Sequence, residues 1–186
     1  MDSRPEIARA AAEAAARQSY GKLVAYLAAR MRDVAGAEDA LADAFAAALE
    51  RWPQTGVPEK PEAWLLAVAR RRSVDVIRRR LTSEAGRDHL RLIAEEIEAR
   101  MADEDLPDER LRLMFACAHP AIEAGVRAPL ILQTILGFDA ATIASAFLVS
   151  PATMGQRLVR AKSRIRETGI PFRVPAGSDQ PSANAA

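Results

Sequence analysis

The hydrophobic and polar positions between residues 137 and 167 predict two short helices joined by a tight turn. Asp139 is a candidate N-cap of the first helix, which has the apolar residues Ile143 and Phe147 on one side, four residues apart. Ser150 is a suitable N-cap for the second helix. Pro151 suits the first position of that helix because its missing N–H would have no helical partner there.

The second of these helices combines an apolar stripe with a polar front. Its apolar residues follow a 4-3-4 spacing, at Met154, Leu158, Ala161 and Ile165. The opposite side carries Thr153, Gln156, Arg157, Arg160 and Arg164. An apolar back that docks on the first helix, with an amide and arginines in front, is what a major-groove reader requires. Glutamine and arginine reach base edges, and further arginines hold phosphates.

An ordinary amphipathic hairpin with a solvated basic face is the alternative interpretation of this segment. The short turn, the N-cap followed by proline and the lack of acidic residues between Ser150 and Arg166 favour DNA binding.

The rest of the chain predicts an all-α protein. Hydrophobic residues make up 49% of it, many of them alanine, which favours closely packed helices over a sheet. Residues 1–16 are helix-prone. Periodic apolar positions predict further helices at 19–32, about 37–51, 61–81, from residue 107 onward, and 126–137.

Two of these helices carry specific core expectations. The buried side of the helix at 37–51 is predicted to hold Leu41, Phe45, Leu49 and Trp52. The core residues of the helix that starts at Pro107 are predicted to be Leu111, Leu113, Met114 and Phe115. Trp64 has apolar neighbours and is expected in a core, with a base-stacking platform as the alternative.

The net charge of +1 is uninformative, but the charged residues are distributed unevenly, in separate basic and acidic segments. Six arginines lie between Arg70 and Arg80 with only Asp75 to offset them, which suggests phosphate contacts. Acidic residues concentrate at 95–109. We expect two small helical domains, at 1–82 and 106–168, with an acidic linker at 83–105 and a disordered tail at 169–186.

The sequence contains no glycine-rich phosphate loop, nucleophile elbow or metal-spaced cluster, so we expect no catalytic site, no cofactor and no metal. Cys117 and His119 alone are too few for a metal site and are expected to be a buried thiol and a capping or surface imidazole. The single cysteine is consistent with a reducing cytoplasm. No secretory signal or membrane-spanning run is apparent.

Taken in order, these segments resemble the extracytoplasmic-function (ECF) sigma factors of bacterial RNA polymerase. AGAEDALADAFAAALERW resembles the polymerase-binding helix of sigma region 2, and PEAWLLAVARRRSVDVIRRR resembles its promoter-melting and −10-reading stretch. LPDERLRLMFACAHPAI through RAKSRIRE resembles region 4, which reads the −35 element. DERLRLMFACAHPAI and FLVSPATMGQRLVRAK are similar to the subgroup that often carries a C-terminal helical extension, which we expect to be absent here.

The resemblance implies a role for each group of residues. Polymerase binding would use Glu38, Asp39 and Asp43. Contacts to the −10 element would come from Arg71, Arg72, Arg78, Arg79 and Arg80. Contacts to the −35 element would come from Thr153, Gln156, Arg157, Val159, Arg160 and Arg164.

The implied activity is that of a cytoplasmic, non-enzymatic initiation factor. Its partners would be the beta-prime clamp helices and the beta flap of core RNA polymerase, promoter DNA and an anti-sigma factor. A conventional helix-turn-helix regulator that binds duplex DNA as a dimer is the alternative, but it gives the basic helix at 61–81 no role.

Overall fold

The computed structural model describes the backbone of residues 3–80 and 107–175, and the side chains of residues 3–71 and 107–175. Its secondary structure within these ranges is entirely helical, which confirms the all-α prediction. The helices are α1 (Arg4–Met31), α2 (Val34–Thr55), α3 (Pro61–Arg80), α4 (Arg110–Cys117), α5 (Ala124–Thr134), α6 (Ala140–Ala146) and α7 (Pro151–Glu167). None of the helices described is long and apolar enough to cross a bilayer.

Helices α1, α2 and α3 pack on one another and form the N-terminal unit. Helix α1 joins the helix-prone segment at 1–16 and the predicted helix at 19–32 into one helix, in which Ala8, Ala12 and Ala15 bury one alanine face along the first half. It ends at Arg32, which has a left-handed φ of 52°. Asp33 then caps α2 by accepting a hydrogen bond from the N–H of Gly36 at 3.1 Å.

The core face of α2 differs from the predicted one. Its buried residues are Val34, Ala37, Ala40, Leu41, Ala44, Ala48 and Trp52. Leu49 was predicted in the core but is 50% exposed, and Phe45 is only half-buried. At 3.6 residues per turn Leu49 lies about 80° around the helix from Leu41, whereas Ala48 stays close to the line through Leu41 and Trp52. Small alanines on that line let α1 and α3 approach α2 closely.

Helices α4 to α7 form the C-terminal unit, and α4 corrects a second core prediction. Leu113 is buried as predicted, but Leu111, Met114 and Phe115 are 52%, 39% and 39% exposed. The reason is geometric: Leu111 and Leu113 lie about 200° apart on a helix, so one face cannot bury both. The buried face instead continues from Leu113 to Ala116 and Cys117.

The start of the predicted disordered tail is ordered. Ile170 is buried and Phe172 packs against the core. Gly169, with φ of 63°, ends α7 in a Schellman motif in which the N–H of Ile170 bonds to the carbonyl of Ile165 at 3.2 Å. The tail prediction is therefore wrong for these residues. The part at 176–186 and the predicted linker at 83–105 lie outside the described residues.

The two units contact each other directly. Helix α1 packs on α4 and α5, and α2 packs on α7.

Candidate nucleic-acid interface

Both helices of the predicted helix-turn-helix, α6 and α7, begin at the predicted caps. The Asp139 carboxylate accepts hydrogen bonds from the backbone N–H groups of Ala141 at 2.9 Å and Thr142 at 2.8 Å. These bonds hold the pKa of Asp139 below its usual range, with the backbone N–H of Thr142 as the largest cause. Ser150 accepts from the N–H of Thr153 at 3.1 Å. The caps fix where α7 starts and therefore which of its residues face outward.

The turn between α6 and α7 places a leucine in an unusual conformation. Leu148 has a φ of 54° and is 93% exposed. The N–H of Val149 bonds to the carbonyl of Ala144 at 3.1 Å, and the N–H of Leu148 to that of Ser145 at 3.3 Å. This is again a Schellman motif, and Leu148 occupies the left-handed position that glycine usually takes.

Helix α7 divides into a buried back and an exposed front. Met154, Leu158, Ala161 and Ile165 are all buried, as predicted. We call the opposite side the reading face, which consists of Thr153, Gln156, Arg157, Arg160 and Arg164. Arg157 is half-buried, and the other four are exposed. Val159 is also exposed, at 63%, and lies beside the reading face.

A cleft of about 440 Å³ adjoins the reading face. Arg157, Arg160 and Arg164 line one side of it, while Ile122, Glu123 and Val126 line the facing side. The segment before α5 is held in place by Arg127, whose Nε donates to the carbonyl of Ile122 at 2.9 Å. The three arginines make their side of the cleft suited to phosphate oxygens, whereas Glu123 on the facing side is not. Sequence reasoning found the arginines but not the wall that faces them.

The basic helix α3 runs to Arg80, as the sequence indicated. Arg71 is exposed on it. Arg70 has a structural role instead: its guanidinium lies 4.9 Å from the ring centroid of Tyr26 and donates a hydrogen bond to the Tyr26 hydroxyl. The side chains of Arg72, Arg78, Arg79 and Arg80 lie outside the described residues.

The three predicted acidic residues of α2 do not share one environment. Asp39 and Asp43 are exposed one helical turn apart. The Glu38 side chain is only 15% exposed and forms an ion pair with Lys162 of α7, whose side chain is 10% exposed. Burial raises the pKa of Glu38 above its usual range, against the lowering influence of Lys162.

Lys162 was not assigned any role from the sequence. It is 8% exposed at the edge of the apolar stripe of α7, where a lysine is seldom buried without a partner. The position of Lys162 beside the apolar stripe therefore indicated a buried ion pair, although the hydrophobic pattern of α7 could not identify Glu38 as its partner. A second bridge joins the same helices, between Arg166 and Asp33 at 3.4 Å.

Cys117 is a buried thiol and His119 a capping imidazole, as predicted. Cys117 is buried, its Sγ lies 3.7 Å from the Thr134 hydroxyl, and burial raises its pKa to about 11. His119 caps a turn, with its Nδ1 accepting from the N–H of Ala121 at 3.1 Å. Across the described ranges, no three His, Cys, Asp or Glu side chains are grouped so that they could hold a metal ion.

Comparison with known proteins identifies part of the chain. Residues 16–82 match the protein-family model described as Sigma-70 region 2. An uncharacterized protein of Rhizobium meliloti (strain 1021) is 37% identical over 174 residues, which is 91% of this chain and 40% of that protein. The chain thus spans less than half the length of that relative. No solved structure matches it.

Proposed function

We propose that this chain, which contains a Sigma-70 region 2 domain at residues 16–82, is an alternative sigma factor of the ECF subfamily. It would bind core RNA polymerase and direct initiation at promoters with defined −35 and −10 elements. One observation carries the proposal: the chain joins a region 2 domain to a capped helix-turn-helix whose arginine-rich reading face is exposed except at the half-buried Arg157. In this role the protein only binds, and the polymerase supplies the chemistry.

The C-terminal domain, at 106–168, would read the −35 element as duplex DNA. Gln156, Val159 and Arg160 would meet base edges in the major groove, by hydrogen bonds and apolar contact. Thr153, Arg157 and Arg164 would contact phosphates and fix the register of α7. The cleft beside the reading face supports this assignment, because it brings three guanidinium groups to one wall.

The N-terminal domain, at 1–82, would capture the −10 element as it opens. Arginines on α3 would stack on unpaired bases and hold the backbone, which offsets the cost of unstacking. The proposed contacts are Arg71, Arg72, Arg78, Arg79 and Arg80. Arg70 is left out because it packs on Tyr26.

Polymerase binding would place the exposed carboxylates Asp39 and Asp43, together with Glu38, against the basic clamp helices of the beta-prime subunit. The C-terminal domain would contact the flap of the beta subunit. Two weak DNA-binding domains mounted on one polymerase gain affinity through effective concentration. An anti-sigma factor would regulate the protein by competing for these surfaces, and the site of action would be the cytoplasm.

Run-off transcription from a library of random promoters, with core polymerase and with or without the protein, tests the proposal. We expect new start sites that share two elements and that are lost with Arg160→Ala. The matched control is Arg9→Ala, since Arg9 is exposed on α1 and pairs with Glu13 at 2.9 Å, away from the proposed DNA contacts.

The same assay, together with a measurement of duplex DNA binding by the protein alone, separates the proposal from a dimeric regulator. A regulator would bind duplex DNA tightly without polymerase and would leave start sites unchanged. That result would overturn the sigma assignment.

A further inference from the structure

The two units approach each other closely at Gly21 of α1. A Cβ built on Gly21 would lie 2.0 Å from the carbonyl oxygen of Ile135, at the end of α5. No side chain other than hydrogen fits there while the units stay in contact. Glycine inside a helix is unfavourable relative to alanine, so α1 alone gives no reason for it. The reason lies in the close contact with the C-terminal unit.

A buried ion pair joins the units at a second point. Lys162 of α7 donates to the Oε2 of Glu38, and both side chains are nearly buried. The other carboxylate oxygen of Glu38 is buried and accepts no hydrogen bond from the residues that the structure describes. This is a contact of modest net strength, because removing both charges from water offsets much of their attraction. Such a contact can open without a large free-energy cost.

Groups from several helices surround this ion pair. Tyr20 of α1 and Cys117 of α4 both lie near Glu38, and the charge of Glu38 contributes to raising the pKa of each side chain. The Tyr20 ring also lies 3.2 Å from where a Cβ on Gly137 would stand, just after α5. The interface is therefore a packed surface that contains a buried ion pair.

This arrangement cannot read two promoter elements at once. Elements centred near −35 and −10 are roughly 25 base pairs apart, or about 85 Å at 3.4 Å per base pair. Helix α2 contacts both α3 and α7, and α3 has 20 residues, so it is about 30 Å long. The reading face thus lies within a few tens of ångströms of the basic helix. The units must separate before both elements can be bound.

We propose that the surface of α1 and α2 around Gly21 and Glu38 is a docking site for the chain's own C-terminal unit, in competition with RNA polymerase. In this closed state, defined by the Glu38–Lys162 and Gly21–Ile135 contacts, Glu38 is withheld from the clamp while most of the reading face remains exposed. Opening releases Glu38 and lets the two units move apart. The competition with polymerase rests on the proposed function, whereas the closed state itself does not.

Distance measurements between spin labels test the closed state directly. Labels at Gln18→Cys on α1 and Ser145→Cys on α6, both exposed positions, report the separation of the units in a Cys117→Ala background. We expect one narrow distance for the otherwise unaltered chain and a longer, broader distribution with Gly21→Ala. The control is Gly125→Ala on α5, where the added Cβ would lie 3.9 Å from Glu123 and fits.

Charge exchange provides a second route that does not depend on packing. Glu38→Lys puts two cations at the buried site and should open the chain, whereas adding Lys162→Glu should restore the narrow distance. Circular dichroism verifies that each variant is folded. A broad distribution in the parent chain, or Gly21→Ala and Gly125→Ala giving the same distances, would refute the closed state.

Polymerase affinity tests the competition. Gly21 is outside the proposed contacts, so Gly21→Ala should bind core polymerase more tightly than Gly125→Ala does. If the closed state outweighs the open one by ten to one, the gain is about tenfold. If Gly21→Ala opens the chain without any gain in affinity for core polymerase, the proposed competition with polymerase is refuted but the closed state is not. Absence of polymerase binding by every variant would instead refute the proposed function.

Discussion

Trp52 and Trp64 meet edge to face, with ring centroids 5.4 Å apart and ring planes inclined by 64°. Trp52 is 1% exposed at the end of α2, and Trp64 is half-buried near the start of α3. The pair joins the acidic helix of the N-terminal unit to its basic helix. Packing of Trp64 against the core favours the predicted core role over a base-stacking platform.

Replacing Trp52 with alanine should destabilise the protein strongly. Loss of the buried ring leaves a large cavity, for which we expect a decrease in unfolding free energy of about 3–5 kcal/mol. Urea denaturation followed by circular dichroism measures it. Leu49→Ala, on the exposed side of the same helix, is the control and should change the stability by only about 0.5 kcal/mol. Similar losses for both variants would contradict the burial of Trp52.

Leu148 offers a change that should stabilise the helix-turn-helix. Asparagine tolerates the left-handed conformation at this position better than leucine does, and 93% exposure means that little buried surface is lost. Leu148→Asn should raise the unfolding free energy by up to about 1 kcal/mol. Thermal denaturation measures it, and Leu148→Val, whose β-branched side chain fits that conformation poorly, should lower the melting temperature. A decrease with asparagine would show that the exposed leucine has a packing role.

Arg157 tests how the reading face contacts DNA, given the proposed function. As a phosphate contact, Arg157→Ala should weaken binding of the polymerase complex to all promoters alike. It should also reduce the slope of log affinity against log salt by about one. Filter binding at a series of salt concentrations measures both, with Arg9→Ala as control. A change of preferred −35 sequence would instead assign Arg157 to base readout.

The features predicted correctly from sequence are mostly local. Asp139 and Ser150 cap helices through backbone groups two or three residues away, so the short-range pattern was sufficient to find them. The same holds for the apolar stripe of α7. The tail prediction was wrong for Ile170 and Phe172, because the composition after Gly169 is typical of a loop, whereas the Schellman hydrogen bonds depend on where α7 ends.

Long-range contacts could not be predicted in the same way. Glu38 and Lys162 are 124 positions apart, and the sequence around either residue does not indicate that the other is its partner. The pattern on α2 could not distinguish Glu38 from Asp39, because their environments differ only when α7 packs beside one of them. Gly21 is similar: its close contact with Ile135 is visible only in the folded chain.

Acidity should favour the closed state. In the closed state, burial of the Glu38 side chain raises its pKa. The nearby Lys162 lowers this pKa, and the charge of Asp39 raises it. On opening, Glu38 returns to water and to its ordinary pKa, so the closed state binds the proton more readily. Protonation of Glu38 stabilises the closed state fully at pH values below the ordinary carboxyl pKa, and this stabilisation is lost as the pH rises through the raised pKa. Of the facing groups, Cys117 titrates only near 11 and Tyr20 has a raised pKa, so both stay neutral in this window.

The spin-label distances therefore depend on pH in a defined direction. The fraction of the narrow, closed distance should increase as the pH is lowered from 8 toward the carboxyl range, and Glu38→Gln should remove that dependence because the amide does not titrate. Asp39→Asn, which removes the neighbouring charge, should reduce the dependence without abolishing it. A closed fraction that falls on acidification would mean that attraction to Lys162, rather than the burial of Glu38, dominates the contact, and the pair would then be a strong bond instead of one poised to open.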